Sequence, residues 1–379
     1  MHVIFGFIFS LLFSLTGWAN GAASPLPVII KQALESENVP LDSVSIYVKR
    51  ADAPQSALAL NADTPRNPAS VMKLLTSYAA LDLLGPTYRW KTQFLARTIP
   101  NQGKLTGGLW VKGVGDPSLN DAALLEVASE LKQKYQLEEV CCELNIDSTL
   151  FPAQPFDASA FDGKPYRAYN APAEAVMVNQ QALRLQMTVV NDKVLVIAYP
   201  KWKSLTIQAN VKAVGGECND WKNGLQIQRE GQRLDVRGNF PVSCGSKYLD
   251  VNWQNGTEYF SYLMRAALEQ VGVRETLSIQ SSPAPEDAVM LTEHVSSTLA
   301  DVLRDMNKAS NNVIARALYL TLSRVGDETQ IASPTKSEQN LRTWLHKKGW
   351  NFSELVLENG AGLSRLERIS ATHLGMLLD

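Results

Sequence analysis

The chain opens on an apolar run, Val3 to Trp18, followed by small and polar residues from Ala19 to Ser24. The run is shorter than the roughly 20 residues that span a bilayer. It fits the apolar region of a secretory signal cleaved between Ala19 and Ala23. Only His2 stands ahead of it, with no Lys or Arg, so an uncleaved membrane anchor stays open. Beyond it, Val44 to Val48 and Ala57 to Leu60 read as two short strands joined by a turn at Asp52–Pro54. Val71, Leu74, Leu75, Tyr78, Ala79 and Leu81 recur at helical spacing and predict a helix over Ser70 to Leu84, which Gly85-Pro86 stops. From about 89 to 284 the period shortens. Alternating segments such as Leu183 to Val190 and Lys193 to Tyr199 predict strands, and Gly107-Gly108, Gly215-Gly216 and Asn223-Gly224 predict turns between them. Tyr259 to Val271 reads as a helix, and Ser281 to Pro285 as a linker. Helical spacing then returns at Leu299, Val302, Leu303 and Met306, and again at Val313, Ile314, Ala317 and Leu318. Ser370 to Asp379 reads as a helix start without a stop signal, so the chain as given reads as truncated.

Composition narrows this only a little. With 379 residues, 45% hydrophobic and 20% charged, the chain is long enough for two or three domains with ample core. Disorder, collagen and a disulfide-dense miniprotein are excluded. The balance of 36 Lys+Arg against 38 Asp+Glu, with no dense basic run, gives no reason to expect nucleic acid as a partner. Four cysteines allow three connectivities, and the sequence does not choose among them. A bridge between Cys218 and Cys244 would close a loop of about 25 residues, worth about 3 kcal/mol. One between the adjacent Cys141 and Cys142 would be strained. Metal-ligand spacing is absent, with no Cys-x-x-Cys and no His-Glu-x-x-His.

The sharpest local pattern is Pro68-Ala69-Ser70-Val71-Met72-Lys73. Serine and lysine three residues apart share a helix face. A serine hydroxyl needs a base within hydrogen-bond reach to act as a nucleophile, and a lysine of lowered pKa can be that base. A helix start also presents backbone N–H groups to a developing oxyanion. The same spacing occurs at Ser129/Lys132 and Ser333/Lys336, and alone it more often marks a solvated helix face. Ser70 differs in opening an amphipathic helix after a Pro-rich turn. The second pattern is Ser310-Asn311-Asn312, between two amphipathic helices. A Ser-x-Asn loop offers a hydroxyl to relay protons and an amide to hold a substrate. It also suits a helix N-cap, and the two roles are compatible. No Gly-x-Ser-x-Gly accompanies the few histidines, so a Ser-His-Asp hydrolase is disfavoured. His294, His346 and His373 are expected on helix surfaces or caps.

Together these motifs resemble the serine penicillin-recognising enzymes. The flanks narrow the resemblance to one branch: Asn67-Pro-Ala-Ser-Val-Met-Lys-Leu-Leu-Thr, Gly113-Val-Gly-Asp-Pro-Ser-Leu, Asp147-Ser-Thr-Leu-Phe, Tyr169-Asn-Ala-Pro, Ser310-Asn-Asn-Val-Ile-Ala and Asn359-Gly-Ala-Gly-Leu-Ser-Arg. In this order they are similar to the D-alanyl-D-alanine carboxypeptidase/endopeptidase family, the class C low-molecular-mass penicillin-binding proteins. Asn311 stands where many superfamily members have Asp. No Lys-Thr-Gly or Lys-Ser-Gly, the family's third motif, occurs in the sequence.

The resemblance implies a mixed α/β fold. A transpeptidase-like domain, an antiparallel sheet flanked by helices, would comprise residues 24–88 and 285–379 after a signal peptide at 1–23. A β-rich accessory region, with room for two subdomains, would occupy 89–284. It implies a bridge between Cys218 and Cys244, a Ser70 acyl-enzyme, Lys73 as base, Ser310 as proton relay, and Asn312, with Asn311, on the substrate side. Asp162 would contact a cationic side chain of the stem peptide, or else is a surface-loop carboxylate. The resemblance implies chemistry that needs no metal or organic cofactor, and the implied partners are peptidoglycan stem peptides and β-lactam antibiotics, in the periplasm after export, with peripheral membrane association left open. Two alternatives remain: a β-lactamase, and a non-catalytic peptidoglycan-binding envelope protein.

Overall fold

The computed structural model describes residues 26–379, so the targeting segment read at 1–23 lies outside the described residues. Two compact units divide the chain, one ending at Thr64 and resuming at Ser370–Asp379, the other Pro65–Ile369.

In the first unit, Ile46–Val48 and Leu58–Leu60 pair antiparallel, Ile46 opposite Leu60, as the two strand-like segments predict. The terminal helix Ala371–Met376 is capped by Ser370 and held by Thr372, whose N–H reaches the Ala62 carbonyl at 3.0 Å and whose hydroxyl reaches Asp63 at 2.6 Å. Gly375 lies against Tyr47, where any Cβ would come within 2.5 Å of the ring.

The second unit holds two six-stranded sheets. One runs Leu225–Glu230, Arg233–Pro241, Thr206–Val214, Lys193–Tyr199, Ala182–Val190, Ser246–Asn252 in spatial order, antiparallel except where Arg233–Pro241 meets Thr206–Val214. The other runs Arg274–Ser281, Glu139–Asp147, Leu109–Lys112, Lys91–Ala96, Val289–Val295, with Lys104–Leu105 also against Glu139–Asp147. Its pairs on either side of Glu139–Asp147 are parallel. Residues 89–284 thus supply both sheets apart from the edge strand Val289–Val295, which pairs with Lys91–Ala96. Helices Asp121–Tyr135 and Gly256–Gln270 contribute Leu124, Val127, Leu131, Tyr259, Phe260 and Met264 to the core shared with these strands. Cys218 and Cys244 are bridged, with an S–S distance of 2.02 Å, and they pack with Met187 and Phe240.

The helices of the site follow the predicted pattern closely. Met72–Leu84 ends at Gly85, whose φ of 83° only glycine adopts readily. Leu299–Ala309 and Asn312–Leu322 bury Leu299, Val302, Leu303, Met306, Val313, Ile314, Ala317 and Leu318. His294 departs from expectation. It lies on the strand Val289–Val295 rather than on a helix, with Nε2 3.5 Å from the buried Asp116 carboxylate. No described helix is long and apolar enough to cross a membrane.

Candidate active site

Ser70 does not sit in the α-helix predicted for it. It occupies a 3-10 turn, Ala69–Val71, that feeds the helix beginning at Met72. Ala69 is held at a φ of 47°, left-handed and unusual for a residue with a side chain. Two contacts impose it. Ala69 N–H donates to Asn67 Oδ1 at 2.9 Å, and Asn67 Nδ2 donates to the Ser364 carbonyl at 2.7 Å. Gly362 rests directly on the Ala69–Ser70 peptide, where a Cβ would lie 1.7 Å from the Ala69 oxygen. Ser70 is therefore exposed at a turn pinned from below. Its N–H lies at the helix entrance, where backbone donors lack intrahelical acceptors.

Lys73 is the buried counterpart, 2% exposed. Its Nζ lies 3.1 Å from Ser70 Oγ, 2.7 Å from Asn312 Oδ1 and 2.5 Å from the Ala361 carbonyl. Asn312 Oδ1 and the Ala361 oxygen only accept. Ser70 Oγ alone among the three can donate. A neutral amine placed here gives its two N–H groups to the two acceptors and directs its lone pair at the serine hydroxyl. Burial, with the Arg316 guanidinium adding repulsion, lowers the Lys73 pKa to about 8; Glu367 opposes the shift. At pH 7 about a tenth of Lys73 is then neutral. The rate of Ser70 acylation should therefore rise with pH through an apparent pKa near 8 and level above it. A pH profile of acylation by a chromogenic β-lactam measures this, and a rate flat from pH 6 to 9 would exclude Lys73 as the titrating base. The same shift means that the folded chain binds fewer protons than the unfolded chain between pH 8 and 10.5. Lys73 therefore detracts from stability below pH 8, and the loss is recovered as pH rises through that window.

The second pattern divides its labour in a way that the sequence does not reveal. Asn311 is the N-cap of Asn312–Leu322. Its Oδ1 accepts from Val313 and Ile314 N–H at 3.0 and 3.1 Å, and its Nδ2 donates to Gln180 at 2.9 Å. Both polar ends are engaged, so the geometry makes Asn311 an anchor for the helix rather than a free substrate ligand. Asn312 faces Lys73 with its oxygen and donates to the Tyr169 carbonyl at 3.3 Å. Ser310 caps the preceding helix in a left-handed conformation, φ 52°, and is exposed. Its hydroxyl makes no hydrogen bond among the described residues. The other Ser-x-x-Lys pairs are local structure: Ser129 donates to the Leu125 carbonyl at 2.7 Å, and Ser333 caps Pro334–Lys347.

Asp162 organises a loop. Its carboxylate accepts from Tyr169 Oη at 2.6 Å, Asn170 Nδ2 at 2.9 Å and the Lys164 N–H at 3.1 Å. The Tyr169 carbonyl in turn takes hydrogen bonds from Asn312 and Arg316. The loop predicted to meet substrate is thus bonded through its backbone to the helix Asn312–Leu322.

Two charged residues beneath the site escape sequence reading. Arg316 is a cation in the apolar stripe Val313 to Leu318, and it donates to the Tyr169 and Ala171 carbonyls at 3.1 and 2.6 Å. Burial lowers its pKa to about 10 against the pull of Glu367 and Glu358. Glu367 is fully buried, and its Oε1 accepts from the N–H groups of Glu358, Asn359 and Gly360 at 3.0, 3.0 and 3.2 Å. Those bonds fold the segment that delivers the Ala361 carbonyl to Lys73 and Gly362 to Ser70. The signal available in sequence was a charge within an apolar period, for Arg316. Glu367 carried none.

A model of the D-Ala-D-Ala carboxypeptidase 3 (S13) family matches residues 28–379. The D-alanyl-D-alanine carboxypeptidase DacB of Haemophilus influenzae is 23% identical over 361 residues, which cover 95% of this chain and 73% of that protein. The D-alanyl-D-alanine carboxypeptidase of an Actinomadura species is 28% identical over 318 residues, 80% of this chain and 58% of the relative. Among solved structures, penicillin-binding protein 4 from H. influenzae superposes with a TM-score of 0.73 at 21% identity, over 88% of this chain and 74% of that one.

Proposed function

The chain belongs to the D-Ala-D-Ala carboxypeptidase (S13) family, and from that premise we propose that it is a serine D-Ala-D-Ala carboxypeptidase and endopeptidase acting on peptidoglycan stem peptides and their crosslinks. The observation that carries this reading is the Lys73 amine, whose two other neighbours are acceptors and whose third is the Ser70 hydroxyl. Ser70 Oγ attacks the carbonyl of the D-Ala-D-Ala peptide bond while Lys73 takes its proton. The Ser70 N–H, at the helix entrance, stabilises the oxyanion. Ser310, exposed and unengaged, returns a proton to the leaving D-alanine nitrogen. Water then releases the shortened peptide from the Ser70 ester. A β-lactam carbonyl meets the same nucleophile and leaves the same ester. In this reading residues 24–88 and 285–379 form the catalytic domain, 89–284 the accessory region, and Asp162 faces the cationic side chain of the stem peptide from a loop fixed by Tyr169 and Asn170. The apolar run Val3 to Trp18 supports export to the periplasm.

The test is release of free D-alanine from a pentapeptide ending in D-Ala-D-Ala, with an L-Ala-D-Ala isomer beside it. Stoichiometric release from the first and none from the second supports the proposal. Repeated turnover of a β-lactam beyond one equivalent per chain, with no peptide turnover, would move the protein to the β-lactamases, and binding without either reaction would make it a peptidoglycan-binding protein.

A further inference from the structure

The strand Glu139–Asp147 has a gap along one side. Lys104 and Leu105 pair with Glu139 and Val140, and the ladder resumes only where Leu109 meets Leu144. Between them Gly107 and Gly108, at φ of 91° and 98°, carry the neighbouring chain away. Cys141 and Cys142 lie in that gap, held on the other side by Thr276 and Leu277. In a regular strand their side chains would point to opposite faces. Cys142 instead has a φ of 87°, in the region that side-chain-bearing residues rarely occupy. The Ser278 hydroxyl secures it by donating to the Cys142 carbonyl at 2.9 Å. The alternation is broken here, and the neighbouring Cys142 thiol is the largest cause that holds the Cys141 thiol above its ordinary range. Cys142 is exposed and Cys141 half-buried.

We propose that Cys141 and Cys142 form a vicinal redox site that exchanges with external disulfides, closing to a bridge between adjacent residues and reopening on reduction. Cys142 is the exposed member of the pair, so it attacks first. Its thiolate breaks the S–S bond of a disulfide RSSR, forms a mixed disulfide and expels RS⁻. Cys141 then attacks Cys142 Sγ and expels the second RS⁻. The two cysteine protons end on two RSH, the protein dithiol is oxidised and RSSR is reduced. A bridge between neighbours is strained, and strained bridges are the readily reduced ones. On the side of the interrupted ladder the Cys141–Cys142 peptide has no strand pairing to lose when it reorients. The Cys218–Cys244 bridge in the same chain fits a setting in which disulfides persist.

The full-length protein, equilibrated at several ratios of oxidised to reduced glutathione, acid-quenched, alkylated and peptide-mapped, reads this directly. In oxidised glutathione the peptide holding Cys141 and Cys142 should lose two hydrogens and resist alkylation. In reduced glutathione it should take two alkyl groups, and the Cys218–Cys244 linkage should persist in both. Cys141→Ser should stop at a glutathione adduct on Cys142. A wild-type peptide that stays doubly alkylated at every ratio, or that accumulates a mixed disulfide without closing, would overturn the proposal. So would a Cys141→Ser variant that forms no adduct.

Discussion

Lys73→Met should slow acylation of Ser70 by roughly 10³–10⁴-fold while the chain stays folded. A positioned general base contributes about 10²–10⁴ to a rate, and this one also fixes the orientation of the nucleophile. What survives is the helix-entrance N–H and substrate binding, which the variant does not touch. Methionine is unbranched like lysine and one side-chain atom shorter, and it removes a cation from a site where Lys73 is only 2% exposed. The cost is that Asn312 Oδ1 and the Ala361 oxygen lose their donor, about 1–3 kcal/mol for a buried acceptor. Relief of the buried charge opposes that loss. Stopped-flow acylation and thermal melting on the same sample separate the two effects. A rate within tenfold of wild type would mean that another group activates Ser70.

Glu367→Ala should be the most damaging change to the fold around the site, at about 3–5 kcal/mol. The substitution strands three backbone N–H groups in a fully buried place and removes the negative charge that faces Arg316 and Lys73. Urea denaturation measures the loss. Glu367→Gln keeps an oxygen for the three N–H groups and should cost less. Because Glu367 raises the Lys73 pKa, the Gln variant should also move the midpoint of the acylation pH profile below that of wild type. A purely structural Glu367 would leave that midpoint where it is.

The sequence was most informative where chemistry and period coincide locally. The Ser70/Lys73 spacing, the helix stop at Gly85 and the amphipathic stripes of 299–309 and 312–322 depend on residues within a turn of one another, so the pattern carries them. The lysine's place in the floor of the site depends on contacts 239 and 288 positions apart in sequence, to Asn312 and to Ala361. Lys73 meets the Ala361 backbone oxygen, and a carbonyl belongs to every residue, so no composition signal marks it. Glu367 acts through three amides that a reader of side chains does not see. Asn311 and Asn312 illustrate the same limit. Two adjacent asparagines read alike, yet one caps a helix and the other holds the lysine, because only Asn312 faces the Met72–Leu84 helix. The strand around His294 is not legible in the sequence, because its edge pairing with Lys91–Ala96 spans about 200 residues.

The most direct test of the account is the intact mass of the full-length protein after incubation with a penicillin, with Ser70→Ala beside it and peptide mapping of any adduct. The account predicts one penicilloyl group per chain, mapped to Ser70 and absent from the variant. An adduct elsewhere, an adduct retained by Ser70→Ala, or none on the folded wild-type protein would contradict it.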